Sequence, residues 1–435
     1  MGIYETGENC FVRCNSMRKM NRRDFLKLTS TVALSVSAAG LLSSCGGGGE
    51  HPASSKPSEN AGSGSSSSSS SSASGSSSSS SASSSESTSS SAAQPEPLKI
   101  IWKIKDNGDG TAILVGYDEA GERPAGEITL PTEWSGRKIV GLDNGLGGKI
   151  TKLIVPGTYK DVNYYGSDVL QELILQEGVE TVSGFRQSKN LWNVRLPSTL
   201  KEVGDMAFTY CEKLTAITFP VGLKRIGQYA FCGTGLTKVT LHDTIADYGE
   251  QAFAECRDLT EVMVHSINSG WRMFMGCTSL TKVRLSPYMT YLESDMFNGC
   301  TALQEISLPK NLTKIGSGAF CGCTVLRQIT IPVTVTTIEG YAFEKTAITK
   351  VTIPNGVKEL GWNVFGDCFN LKAVYIPVSM ERICNYAFAG CRSLMDVYYQ
   401  GGQQQWVLIR IDDDNTMLQA AQLHYYSSPA SMGVI

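Results

Sequence analysis

One phrase, repeated along the chain, limits what this sequence can fold into. It reads L-x-x-I-G-x-x-A-F-x-x-C-x-x-L-x-x-I-x-I-P and is complete from Leu312 to Pro332. Its phenylalanine returns at Phe208, Phe231, Phe253, Phe274, Phe297, Phe320, Phe343, Phe365 and Phe388, at steps of 23, 22, 21, 23, 23, 23, 22 and 23 residues. A fixed period of this length belongs to a solenoid, in which no repeat buries its apolar side alone and stacked repeats share one core.

The phrase divides its labour. Ile329 and Ile331 alternate with Thr330, so the pair points inward and Thr330 outward on a strand. The proline that follows (Pro197, Pro220, Pro309, Pro332, Pro354 and Pro377) has no N–H for a ladder and ends that strand. Leu312-x-x-Ile315 makes a second short strand closed by Gly316, and Ala319-Phe320 is expected to return the chain through a short helical or 3₁₀ turn. Ala at that place leaves room for the neighbouring Phe ring. Cysteine stands three residues after the Phe in seven rungs (Cys211, Cys256, Cys277, Cys300, Cys323, Cys368 and Cys391), and Thr234 and Thr346 take its place in the other two. Threonine makes no disulfide but matches the size of cysteine. The column therefore reads as a ladder of buried thiols, with disulfides between adjacent rungs as the alternative, because rungs about 4.8 Å apart are within reach. Cys232, Cys321 and Cys384 lie outside the column and are expected to be more exposed.

Both ends depart from the phrase. Ile100–Ile104 and Thr111–Val115 read as two strands around Asp106-Asn107-Gly108-Asp109-Gly110, a hairpin that would cover the first rung. The three acidic or amide side chains there do not make a calcium loop, since the downstream Glu of such loops is missing. Degenerate repeats begin at Ile128–Pro131 and Leu153–Pro156. After Tyr398-Tyr399, a helix from about Gln403 to Ile409 and a strand at Leu423–Tyr426 are expected to close the far end. The domain plan is residues 1–45 as export signal, 46–97 as linker, 98–140 as N-terminal cap, 141–397 as solenoid and 398–435 as C-terminal cap.

The first segment carries an address. Asn21-Arg22-Arg23-Asp24-Phe25-Leu26-Lys27 resembles the twin-arginine export motif, with Arg22, Arg23, Phe25 and Leu26 as its signal residues. The weakly apolar stretch Leu28–Leu42 is too short and polar for a membrane span. It ends in Leu42-Ser43-Ser44-Cys45, which resembles a bacterial lipobox. That likeness implies lipidation of Cys45 and anchoring on the outer face of the cell membrane, against cleavage of a plain secretory signal as the alternative. Translation is compatible with a start at Met17 or Met20. Residues 46–94 are mostly serine and hold no large apolar side chain, so a flexible tether is expected, with O-glycosylation permitted. Beyond the first 44 residues there are 32 basic and 38 acidic residues, a net charge near −6. This balance argues against a nucleic-acid binder.

The repeat phrase, its Cys column and the ending Trp406–Tyr425 resemble the BspA-like leucine-rich-repeat surface proteins of bacteria. The likeness covers roughly Gly126 to Tyr426 and departs over Gly141–Ser188, where Ala-Phe and Cys are missing. It implies an α/β, β-rich, right-handed leucine-rich-repeat solenoid with a parallel sheet and short helical turns, capped at both ends. It also implies adhesion or protein binding and no catalysis by the repeats. The sequence itself holds no phosphate loop, no H-E-x-x-H and no G-x-S-x-G. No enzyme, cofactor or metal site is expected. His242 and His265 occupy successive proline slots and read as edge imidazoles.

Where a ligand would sit follows from what varies. The outward column of the strand runs Arg195, Thr218, Thr240, Met263, Arg284, Ser307, Thr330, Thr352, Tyr375 and Tyr398. Arg195, Met263, Arg284, Tyr375 and Tyr398 form the expected ligand face, strongest at the two tyrosines, since Tyr and Arg are over-used at interfaces. A solvated sheet face is the plain alternative. The adjacent column holds Lys238, Glu261, Lys282 and Glu305, which alternate in sign and are expected to form a charge ladder. The expected partner is a protein or glycan on host or neighbouring cells, with the membrane met only through the lipid. Passive structural display, or capture of a ligand without an adhesive role, is the alternative function.

Overall fold

The computed structural model describes residues 99–143 and 145–433. Arg22, Arg23, Phe25, Leu26, Cys45 and the serine tract lie outside the described residues. From Trp102 onward the chain is a parallel β-solenoid with three hydrogen-bonded sides and very little helix. A front side collects the strands before the prolines, such as Lys238–Leu241, Glu261–Val264 and Ala373–Ile376. A back side collects two- to three-residue strands before the turn glycine, such as Lys314–Ile315 and Arg382–Ile383. The third side carries the Ala-Phe corner.

That corner is not helical, contrary to the expectation of short helical turns. Left-handed residues stand two before and two after the Phe, as at Asp295 (φ 56°) and Gly299 (φ 74°) around Phe297. Alternating hands prevent the chain from propagating a helix. They aim the Phe N–H along the stack, where it donates to the residue before the next rung's Phe. These bonds run without a gap from Phe208 to Ala230 (2.7 Å) through Phe297 to Ala319 (2.9 Å) and Phe365 to Ala387 (2.8 Å). The last one, Phe388 N–H, is received by the Asn415 side chain at 3.1 Å, and Asn415 in turn donates to the Cys384 carbonyl at 2.9 Å. A buried Asn thus ends a ladder whose final donor would otherwise be orphaned.

Behind the corner the rings form one stack. It begins at Tyr164 and Phe185, 4.8 Å apart, and continues through Phe208, with neighbouring centroids 5.3–5.9 Å apart from there to Phe388. The stretch Gly141–Ser188 therefore has rungs of the same kind. Tyr164 and Phe185 fill the ring slot, and Ser167 and the buried Ser188 fill the slot three residues on. Each column cysteine donates its S–H to the Phe carbonyl of the preceding rung, as Cys300 to Phe274 (3.3 Å) and Cys323 to Phe297 (3.2 Å). Thr234 and Thr346 turn instead to the Phe of their own rung, at 2.9 Å in each case, and lie 3.2 Å from the next column thiol. The ten cysteines of the repeats are all unbridged. Of the three outside the column only Cys321 is partly open; Cys232 and Cys384 are buried.

The ends are closed by different means. Trp102–Asp106 pairs antiparallel with Thr111–Tyr117, which joins the back sheet through Arg137–Asp143. The turn between them is fixed by the Asp106 carboxylate, which accepts the Gly108 N–H at 2.8 Å and the Arg137 guanidinium at 2.8 Å. At the far end come short helices Gln403–Trp406 and Thr416–Ala420, then the strand Gln422–His424 on the front sheet.

The two sheets, unlike the corner side, are interrupted. The back sheet breaks once, between Asp247–Tyr248 and Tyr291–Leu292, at the rung made short by the 21-residue step. The front sheet breaks twice, at Ala216–Thr218 and across the two rungs Glu305–Leu308 and Gln328–Ile331, which form no strands.

Close rung contact has a direct test. A Cβ at Gly157 would collide with the Glu177 carbonyl oxygen, and one at Gly166 with the Arg186 carbonyl oxygen, both backbone groups of the next rung. Gly157→Ala is expected to cost about 2–3 kcal/mol by this overpacking, read from the urea unfolding midpoint. An unchanged midpoint would contradict the contact.

Candidate functional site

The front sheet presents the residues that vary most between rungs. Met263 and Arg284 are register partners on neighbouring strands, and Met263 also faces Thr240. Arg284 is exposed and Met263 half-buried. Arg195 is exposed on the strand Asn193–Arg195, opposite Ile174, and the unpaired rung at Ala216–Thr218 separates it from Met263. These three residues face solvent as two groups on one side of the solenoid.

Tyr375 and Tyr398 are register partners but do not offer an open face. Tyr375 is only 3% exposed and packs with Ala373 and Met432, with Tyr398 against their edge. The cover is the 3₁₀ turn Pro429–Met432, whose carbonyl ends are held by Lys350: its Nζ lies 2.5 Å from the Met432 oxygen and 3.4 Å from that of Gly433. Tyr398 stacks on His424 at 4.6 Å, and His424 Nε2 lies 2.8 Å from Asp396. The expected strongest part of the ligand face is thus covered by the chain's own terminal segment. An apolar Tyr pair left in water attracts the nearest apolar side chain, and Met432 supplies it.

The charge ladder forms only in part. Lys238 and Glu261 pair at 3.3 Å. Lys282 is in register with Glu261 but makes no ion pair among the described residues, because Glu261 is turned to Lys238. Glu305 falls on a rung with no strand and is likewise unpaired among them.

A second exposed row escaped the sequence reading. On the corner side Trp362 meets Tyr341 edge-on at 5.8 Å and Tyr386 edge-on at 5.5 Å. Trp362 is 48% exposed. The signal was present in the residues, since each aromatic stands two or three residues before a repeat Phe.

The buried thiols hold no reactive chemistry. Burial pushes Cys256 and Cys368 up to about 11 and Cys323 to about 12, and pushes Cys277 and Cys300 well above the ordinary thiol value. Cys321 is raised too, by burial and then by Glu344, to which it donates at 3.2 Å. No group of three or more His, Cys, Asp and Glu among the described residues is placed to hold a metal. His242 bonds the Phe219 carbonyl at 3.2 Å, a structural contact.

Comparison with known proteins places this architecture. Six copies of the BspA type leucine rich repeat region match residues 179–304 and 265–395. This stretch is a BspA type leucine rich repeat region. Solved structures are similar as well. The pneumococcal vaccine antigen PcpA is 17% identical, covering 76% of this chain and 98% of its own, with a TM-score of 0.50. A leucine rich cell surface protein of Faecalibacterium prausnitzii A2-165 is 19% identical over 71% of this chain and 96% of its own, with a TM-score of 0.38. A leucine-rich repeat protein of Bacteroides ovatus ATCC 8483 is 20% identical over 76% and 98%, also at 0.38. At these identities the likeness to PcpA speaks for the fold alone. No curated protein matches the chain. Along the matched repeats the constant Phe, Cys and Leu are core, and the residues that vary between rungs include the exposed ones of the front sheet.

The thiol assignment is testable without a ligand. Iodoacetamide at pH 8 is expected to leave the seven column cysteines unmodified in the native protein and to label all of them in urea, read by peptide mass spectrometry. Disulfide-linked peptides between adjacent rungs, or rapid native labelling of Cys300 or Cys323, would contradict it.

Proposed function

We propose that this chain is a lipid-anchored bacterial surface protein whose repeat domain binds a protein or glycan on host or neighbouring cells. In this reading Arg22, Arg23, Phe25 and Leu26 direct export, Cys45 carries the lipid, and the serine tract holds the repeats out from the membrane. Among the described residues no helix is long and apolar enough to cross a membrane. The BspA type repeat region supports display and binding in general. The observation that carries the binding face is the segregation of residues by role. The repeated Phe, Cys and Leu are buried, while Arg195, Met263 and Arg284 gather on one open side.

The contacts assigned to the partner are Arg195, Met263 and Arg284. Tyr375 and Tyr398 join only where Met432 is lifted away. Burial of an Arg or Met anchor in an interface is worth about 2 kcal/mol or more at a hot spot. Alanine at all three positions is therefore expected to weaken binding to arrayed host matrix proteins and glycans at least about tenfold. Unchanged binding would move the site off the front sheet. No binding by either protein would favour passive display.

The anchor is tested separately. Cys45→Ala is expected to release the protein into the medium, and mass spectrometry of the mature N-terminus should find acylated Cys45. An unmodified N-terminus elsewhere would sink the anchor while leaving the binding face untouched.

A further inference from the structure

The wider break in the front sheet leaves a strand edge without a partner on each of its sides. Lys282–Arg284 pairs on one side with Glu261–Met263 and has no strand on its other side. Lys350–Thr352 pairs with Ala373–Tyr375 and is likewise open toward the break. Between them lie Glu305–Leu308 and Gln328–Ile331. Only the entry to these rungs is tied: Arg327 N–H reaches the Gln304 carbonyl at 3.4 Å, and Thr349 N–H reaches the Arg327 carbonyl at 3.3 Å. Beyond these two bonds the main-chain N–H and C=O groups of Glu305–Leu308 and Gln328–Ile331 have no protein partner among the described residues. The corner side behind them stays zipped, with Phe297 to Ala319 and Phe320 to Ala342 both at 2.9 Å. The opening is therefore a wedge on one face of an intact solenoid.

The wedge holds a cleft of about 390 Å³ running from Thr281 to Thr330. That lies in the range of about 300–1,000 Å³ usual for ligand sites. Its floor is apolar: Val283 and Ile329 are half-buried and Ile306 is 9% exposed, whereas their equivalents Val262 and Val351 are sealed. Its walls are polar. Lys282 and Arg284 stand on one wall and make no ion pair among the described residues, and Glu305 stands opposite.

We propose that this cleft binds an extended peptide segment of a partner protein, one that carries a carboxylate side chain. The inference rests on the reading of the front sheet as the binding face and names the ligand for it. Three features select this occupant. Rows of unpaired main-chain donors and acceptors with strand-like alternation are matched by another extended main chain, as in strand addition to a sheet edge. The half-open apolar floor takes alternate side chains of such a strand. Two unpaired cations against one carboxylate leave a net positive wall, which a carboxylate neutralises and an ammonium group does not. A glycan would meet the polar walls but has no row of amides to pair with the rungs.

The test uses amide hydrogen exchange on the intact protein, with two blocked peptides of alternating threonine and valine, one with a central glutamate and one with a central lysine. Without peptide, the amides of Ile306–Leu308 and Ile329–Ile331 should exchange at least about tenfold faster than those of the strand Glu261–Val264. The glutamate peptide should slow them at least about tenfold, and the lysine peptide should do so only at concentrations about tenfold higher. The double variant Lys282→Glu, Arg284→Glu changes exposed side chains only, and it should reverse the order of the two peptides. Amides as slow as those of Glu261–Val264 in the free protein would overturn the proposal, as would exchange that neither peptide slows. A peptide preference that the double variant leaves unchanged would overturn it as well. Binding of an arrayed glycan that the double variant abolishes, with both peptides inert, would replace the peptide with a sugar. If the peptides are inert while alanine at Arg195 and Met263 still weakens a whole partner, the cleft fails and the front-face reading stands.

Discussion

Everything in this fold depends on the joint between one repeat Phe and the next. The ring stacks on its neighbour, its N–H donates forward to the next rung, and its carbonyl receives the thiol of that rung's cysteine. Burying each ring is worth about 1.5–3 kcal/mol, and each stacked contact adds about 0.5–1.5 kcal/mol. The thiol adds a second donor to a carbonyl that already accepts the N–H of its own rung's column residue, as Phe297 accepts from Cys300 at 3.1 Å, so both lone pairs of the buried oxygen are used. Serine, threonine and cysteine all appear in that slot because each is short and ends in one polar atom that can donate or accept. The ring stack and the N–H ladder are unbroken from Phe208 to Phe388 even where the front and back sheets are cut, and the thiol bond is absent only where Thr234 and Thr346 replace cysteine.

A spine of this kind frees the other two sides. In an ordinary parallel sheet every strand must keep its neighbours, because the ladder is the fold. Here the corner side holds the rung spacing, so the front sheet can splay at Glu305–Leu308 and Gln328–Ile331 without unfolding the stack. The same freedom explains the terminal cover, where Pro429–Met432 lies on Tyr375 as an addition and is not part of any rung. Function in such a molecule is written in what the spine leaves open, and the open places are the wedge, the Arg195 strand and the exposed aromatic row at Trp362.

Much of this was legible in the residues. The period, the inward and outward columns, the capping hairpin and the role of the column cysteines follow from spacing and side-chain chemistry alone. The breaks in the front sheet do not. Lys238-Val239-Thr240-Leu241 is a paired strand and Gln328-Ile329-Thr330-Ile331 is not, yet both alternate in the same way. Alternation records which face a side chain takes, and rung separation is set by curvature summed over all three sides. Tyr375 shows the same limit from another direction. Its column position points outward, and only the folded path of Met432, more than fifty residues on, decides that it is covered. The degenerate rungs were hidden for a local reason: Tyr164 and Ser188 do the work of Phe and Cys under other letters.

The claim that the Phe joint carries the fold, rung by rung, is tested most directly by hydrogen exchange across the whole repeat domain of the Phe297→Ala variant. A spine of nearest-neighbour joints predicts that protection falls steeply at the Phe274, Phe297 and Phe320 rungs and stays close to its original level at Phe208 and Phe388. Uniform loss of protection along the chain, or no loss at the neighbouring rungs, would contradict it.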